Sequence, residues 1–163
     1  MNNQDFTSAI LVDSTPAEAF NAINNVRAWW SENVEGFTDQ LNSVYYYYYK
    51  DIHHCTIKIT ELVPGKRVAW EVLDNYFNFI ADNTEWVGTQ ITFNIAEKDG
   101  KTEVIFTHRG LVPAYECYGV CFEAWTNYIQ HSLQNLITTG TGEPTPKEGV
   151  GYNTQLAEKW NLE

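Results

Sequence analysis

The chain has 163 residues, and 21 Asp plus Glu against 10 Lys plus Arg give it a formal net charge of -11. Such a field repels phosphate backbones, so nucleic acid is excluded as an expected partner. Aromatics reach 15% while charged residues stay at 19%, which excludes disorder for most of the chain. A chain of about 150 residues buries roughly 70% of its unfolded surface, so a core forms without a metal or disulfide.

No apolar run approaches the ~20 residues of a membrane span. The start Met1-Asn2-Asn3-Gln4-Asp5 has neither the basic residues nor the apolar stretch of a signal peptide, so a soluble, cytoplasmic protein is expected. Cys55, Cys117 and Cys121 form neither an even set nor a CxxC pair and read as free thiols.

In chain order, Phe6 to Val12 is short, apolar and β-branched, the pattern of a strand. Thr15-Pro16-Ala17-Glu18 then starts a helix, with Thr15 and Glu18 set for a reciprocal cap and Pro16 at the first helical position. Val26 to Trp30 continues as a second short helix after Asn24-Asn25. Ser43 to Lys50 holds five consecutive tyrosines in a strand. Tyr46 and Tyr48 must share one face, Tyr45, Tyr47 and Tyr49 the other, and one set points outward.

Ile52 to Leu62 alternates as a half-buried strand with Cys55, Ile57 and Ile59 on its inner face. Val63-Pro64-Gly65-Lys66 is a type II turn leading into Val68, Trp70 and Val72. After the aromatic stretch Asn75 to Phe79, the segment Val87 to Ile95 alternates again, and Asp99-Gly100 turns it into a last strand carrying Val104, Phe106 and His108. Ala114 to Thr139 has no proline and repeats Tyr118, Phe122, Trp125, Ile129, Leu133 and Leu136 at helical spacing, with Gly140 as a stop. Residues 141–163, rich in Gly, Pro and Thr, read as an irregular tail with at most a short turn over 154–160.

The resulting architecture is α+β: a curved antiparallel sheet of about six to seven strands wrapped around a long C-terminal helix, with two short helices after the first strand. The order of pieces resembles the START-like, or birch-pollen-allergen-like (SRPBCC), helix-grip superfamily. Within it, the chain is most similar to bacterial homologues of the activator of heat-shock protein 90 ATPase. Carrying the resemblance are Ser14-Thr15-Pro16-Ala17-Glu18-Ala19-Phe20, Trp29-Trp30, Glu61 to Val68, Gly88-Thr89, Thr102-Glu103-Val104, Thr107 to Leu111, and the helix with Trp125, Tyr128, Leu133 and Leu136. It implies a helix-grip domain over residues 1–140, a cavity between sheet and helix that takes apolar ligands, and no fixed catalytic set.

Candidate lining residues are Trp30, Tyr46 and Tyr48 or their alternates, Trp70, Phe93, Phe106, His108, Tyr118, Phe122 and Trp125. Large rings close-pack poorly on a curved sheet, and the polar tips of Tyr and Trp suit a mostly apolar pocket with a few orienting groups. His108 falls in phase with Val104 and Phe106, so it orients a ligand or is satisfied within the core. Glu71 and Glu103 alternate to the opposite face and make no acid/base pair with it. His53 and His54 are adjacent on a strand and point apart, so at most one of them shares a face with any further ligand, and Cys117 and Cys121 lack the paired signature of a zinc site. No metal and no cofactor are expected.

The function expected is non-catalytic binding of a small apolar or amphipathic molecule by a monomer or weak dimer. The resemblance also implies two alternatives: a stress-linked co-chaperone partner, and a cyclase or hydratase working in the same cavity.

Overall fold

A computed structural model describes residues 5–162. Met1–Gln4, part of the start on which the signal-peptide reading rests, and Glu163 of the expected tail lie outside the described residues. Seven strands form one antiparallel sheet: β1 (Phe6–Val12), β2 (Val34–Glu35), β3 (Val44–Tyr49), β4 (His53–Val63), β5 (Arg67–Phe77), β6 (Gln90–Lys98) and β7 (Lys101–Arg109). Their order across the sheet is β1-β7-β6-β5-β4-β3-β2, so each strand from β2 to β7 lies beside its neighbour in sequence and β1 closes on β7. Local turn chemistry accounts for that meander. Lys66 N–H donates to the Val63 carbonyl at 2.9 Å with Gly65 at φ +70°, while Asp99 and Gly100 take φ of +52° and +78°, the two left-handed positions a tight hairpin needs.

α1 (Pro16–Asn24) and α2 (Val26–Trp29) follow β1. The Thr15 hydroxyl accepts from Glu18 N–H at 3.1 Å and the Glu18 carboxylate accepts from Thr15 N–H at 2.8 Å, the reciprocal cap the sequence calls for. Together these helices bury Ala19, Ile23, Val26 and Trp29 against the sheet.

Over β3 the sheet register decides the tyrosine faces. Tyr45 pairs with Ile57 and Tyr47 with Cys55, and those partners point into the core, so Tyr45, Tyr47 and Tyr49 are buried. Tyr46 and Tyr48, expected among the cavity residues, instead lie on the outer face, where Tyr46 Oη meets His54 Nδ1 at 3.0 Å. Alternation gave the two sets but not their sign; pairing supplies the sign.

The long helix also differs from expectation. It begins at Tyr118 rather than Ala114 and runs as α3 (Tyr118–Asn127), a π-helical stretch (Tyr128–Leu133) and α4 (Gln134–Thr139). Gly140 then closes it in a left-handed conformation, φ +85°, as a helix stop. The wider turn brings Tyr128 and Ile129 to the interior together, a phase change that a 3.6-residue repeat does not encode.

The segment expected to be an irregular tail packs on the domain. Thr145 N–H donates to Trp30 O, and Glu32 N–H to Thr145 O, both at 2.9 Å. Residues Tyr152–Trp160 form α5, in which Leu156 and Ala157 are buried. Its Trp160 lies so close to Gly119 that a Cβ there would stand 2.8 Å from the indole ring.

Candidate functional site

Where β3, β4 and β5 face α3 and α5, the inner rings do not close up. They leave a half-open pocket of about 60 Å³, walled by aromatic side chains and containing no Asp, Glu, Lys or Arg. β3 contributes Tyr47 and Tyr49, β4 His53, β5 Phe77, the 78–89 loop Phe79 and Trp86, and α3 Cys121, Ala124 and Trp125. Trp30 and Tyr128 complete the inner wall, while Asn153, Leu156 and Leu162 come from the C-terminal segment. Ring contacts hold these walls in place. Trp30 stacks on Tyr47 at 4.4 Å between centroids, His53 on Phe77 at 4.3 Å, and Trp86 on Trp125 at 5.8 Å.

Two hydrogen-bond chains fix the polar groups around it. Asn75 Nδ2 donates to Asn83 O at 3.4 Å, which orients its Oδ1 to accept from His53 Nε2 at 2.9 Å. Burial lowers the His53 pKa to about 3, so the ring is neutral at pH 7. On the opposite wall, Tyr128 Oη donates to Asn153 Oδ1 at 2.9 Å and accepts from Thr145 Oγ1 at 2.5 Å, while Asn153 Nδ2 donates to Tyr47 Oη at 3.3 Å. Burial pushes the Tyr47, Tyr128 and Cys121 pKa values up. Desolvation thus favours the uncharged form of each of these groups.

His108 sits behind the wall in a closed relay. Trp125 Nε1 donates to His108 Nδ1 at 3.1 Å, so the proton of the neutral ring is on Nε2 and goes to Thr89 Oγ1 at 2.8 Å. The Thr89 hydroxyl passes its own proton to Trp86 O at 2.6 Å. Burial, with a smaller contribution from His53, lowers the His108 pKa to about 3. Both ring nitrogens are occupied, so His108 fixes the orientation of Trp125 and the 78–89 loop and has no lone pair to offer a ligand.

Of the ten residues singled out in the sequence, Trp30 and Trp125 line the pocket. Trp70, Phe93, Phe106 and His108 are wholly buried beside it. Tyr46 and Tyr48 are on the outer face, Tyr118 is partly buried, and Phe122 is 45% exposed, its ring packing edge-on to Phe6. Phe122 leaves the inner face because the buried line runs Cys117, Cys121, Trp125 in steps of four. Tyr47 and Tyr49, the alternates to Tyr46 and Tyr48, are on the wall, joined by His53, Phe77 and Trp86, which were not among the expected lining residues. The alternation of His53 with Cys55 places it on the same face as the inward tyrosines. Trp86 stands alone in a loop, where no periodicity marks it. Among the described residues, no group of three His, Cys, Asp or Glu could hold a metal ion, and no helix is long and apolar enough to cross a membrane.

Comparison with known proteins gives this arrangement a family. The pattern of the family described as "Activator of Hsp90 ATPase homolog 1-like protein" matches residues 14–138. The chain belongs to this family, within the START-like helix-grip superfamily. Its fold is similar to the Aha1 dimer from Colwellia psychrerythraea, at 22% identity and TM-score 0.68, over 85% of this chain and 99% of that one. A protein from Mesorhizobium loti aligns at 11% identity and TM-score 0.64, over 82% and 96% of the two chains. DynU16, described as a putative protein in the dynemicin biosynthetic locus, aligns at 12% identity and TM-score 0.59, over 85% of this chain and 48% of its own. No curated protein sequence matches the chain. The family match ends before Gly140, so α5 and the pocket wall it supplies lie beyond the part that the family pattern covers.

Proposed function

We propose that the chain binds a small uncharged apolar or amphipathic molecule in the aromatic pocket, without transforming it chemically. The observation that carries this reading is a gap left open between aromatic walls in an otherwise filled core, with no charged side chain on its lining. Interiors pack to crystal density, and a concave apolar site with a few polar groups is the usual form of a small-molecule site. Catalysis finds little support: His53 and His108, the histidines at and behind the wall, are held neutral by burial, and His108 is fully hydrogen-bonded. A benzene ring occupies a cavity of roughly 150 Å³, so a ring entering this 60 Å³ pocket displaces the mouth residues Phe79 and Leu162 outward.

The test is calorimetric titration with toluene of the wild type and of Ala124→Phe, which fills the pocket from α3. The reading expects saturable one-to-one binding to the wild type and none to the filled variant, with near-UV dichroism confirming that the variant is folded. Equal binding by both proteins would place the ligand elsewhere and remove the reading.

A further inference from the structure

Most polar groups around the pocket are paired, and the exception is informative. Tyr49 Oη is buried and makes no hydrogen bond at all, and neither does Trp86 Nε1. Both residues line the pocket and are more than nine-tenths buried, their polar atoms closed to solvent until an entering ring widens the opening. The polar neighbour of the Trp86 indole is the Cys121 sulfur, a weak acceptor. An unpaired buried donor costs about 1–3 kcal/mol, so a wall that keeps two of them beside an opening is incomplete without an acceptor. Tyr45 Oη and Trp70 Nε1 are unpaired as well, but neither lines the pocket, so no ligand reaches them there. Elsewhere on the lining the comparable hydroxyl of Tyr128 is saturated by Thr145 and Asn153. The lining is therefore uneven: Tyr128 and Asn153 are satisfied by the protein, whereas the Tyr49 hydroxyl has nothing to donate to and Trp86 Nε1 meets only a sulfur.

We infer that the ligand is a neutral, single-ring aromatic molecule bearing a hydrogen-bond acceptor, which takes the proton of the Tyr49 hydroxyl. This rests on the binding reading above and specifies its chemistry. The flat walls select a ring: the stacked pairs Trp30–Tyr47, His53–Phe77 and Trp86–Trp125 present faces and edges to whatever lies between them. The uncharged lining rejects a carboxylate or ammonium, because an unpaired charge taken out of water loses far more than one hydrogen bond returns. Tyr49 supplies direction. Its hydroxyl places the acceptor at the β3 wall and leaves the apolar edge of the ring toward Phe79 and Leu162.

The test uses two probes of nearly equal shape, benzonitrile, whose nitrile accepts a hydrogen bond, and phenylacetylene, which offers no comparable acceptor, with benzoate as a charged control. Calorimetry compares all three on the wild type and on Tyr49→Phe, and infrared spectroscopy follows the nitrile stretch. The wild type should bind benzonitrile about ten-fold tighter than phenylacetylene, the scale of one buried donor satisfied, and shift the nitrile stretch to higher frequency. Benzoate should bind at least ten-fold more weakly than benzonitrile. In Tyr49→Phe, phenylacetylene affinity should hold within two-fold while the benzonitrile preference and the frequency shift disappear. Equal wild-type affinities for the two neutral probes, a preference that survives in Tyr49→Phe, or tighter binding of benzoate would each overturn the assignment of Tyr49 while leaving the pocket in use. Failure of every probe to bind would overturn the binding reading along with it.

Discussion

Two aromatic clusters built from the same residue types sit side by side on one sheet, and only one of them closes. In the first, Trp29, Trp70, Phe93 and Phe106 meet edge-to-face or stacked at 5.0–6.5 Å between centroids, and all four are wholly buried. In the second, Tyr47, Tyr49, His53, Phe77, Trp86 and Trp125 surround an opening. The difference lies in what covers them. α1 and α2 lie over the first cluster and fill the gaps between rings with Ala19, Ile23 and Val26. The second is covered by α3, the 78–89 loop and the C-terminal segment, which bring Val120, Ala124, Leu156 and Leu162 to its wall without closing it. The same ring types thus make a core where the cover fits between them and a pocket where it does not.

The sharpest way to break the comparison is to truncate a ring on each side. Phe93→Ala in the closed cluster should cost about 3–5 kcal/mol, read as a lower midpoint in denaturant unfolding. Phe79→Ala at the pocket mouth should cost about 1 kcal/mol or less, since the removed ring bordered open space. Similar losses for the two variants would mean that the pocket is as tightly packed as the core.

The next largest effect is on acid stability. His108 and His53 have pKa values of about 3 in the fold against 6.5 in the free side chain. Below pH 6.5 the unfolded chain takes up protons that the folded form refuses. The stability they contribute is therefore complete above pH 6.5 and is lost as pH falls toward 3. Between pH 7.5 and 5.5 the loss should be about 1–3 kcal/mol, the larger share from His108, since His53 keeps some contact with solvent. His108→Gln should lower stability at pH 7.5 and flatten the slope by about half. A slope unchanged by that substitution would contradict the buried neutral ring.

The smallest effect sharpens the role of the C-terminal segment. Gly119→Ala pushes a methyl into Trp160 and loosens α5 from α3. Denaturant stability should fall by about 1 kcal/mol or less, while toluene binds and leaves faster by stopped-flow tryptophan fluorescence. Unchanged rates would mean that α5 does not gate the mouth.

Much of the fold was legible from the sequence because it rests on local rules. The Thr15–Glu18 cap, the Pro64-Gly65 and Asp99-Gly100 turns and the period-two strands each act over a few residues. The site was less legible because it depends on non-local choices. Which tyrosine face turned inward was set by the pairing of Tyr47 with Cys55. The wall at Tyr128 depended on a π-helical turn, and Trp86 entered from a loop tied down by Thr89. The phase of His108 with Val104 and Phe106 sets its inward direction but not its partners, Thr89 and Trp125, which come from two other elements.

The central claim is that the second aromatic cluster is open to a ligand and the first is not, and the six tryptophans report on both. In a nitrogen-15 spectrum of the indole N–H groups, titration with toluene should move the signals of Trp30, Trp86 and Trp125, which line the pocket. Trp29 and Trp70, buried in the closed cluster, should stay in place. Saturable shifts confined to the first three are the predicted result; shifts at Trp29 and Trp70 instead, or none at any tryptophan, would contradict the account.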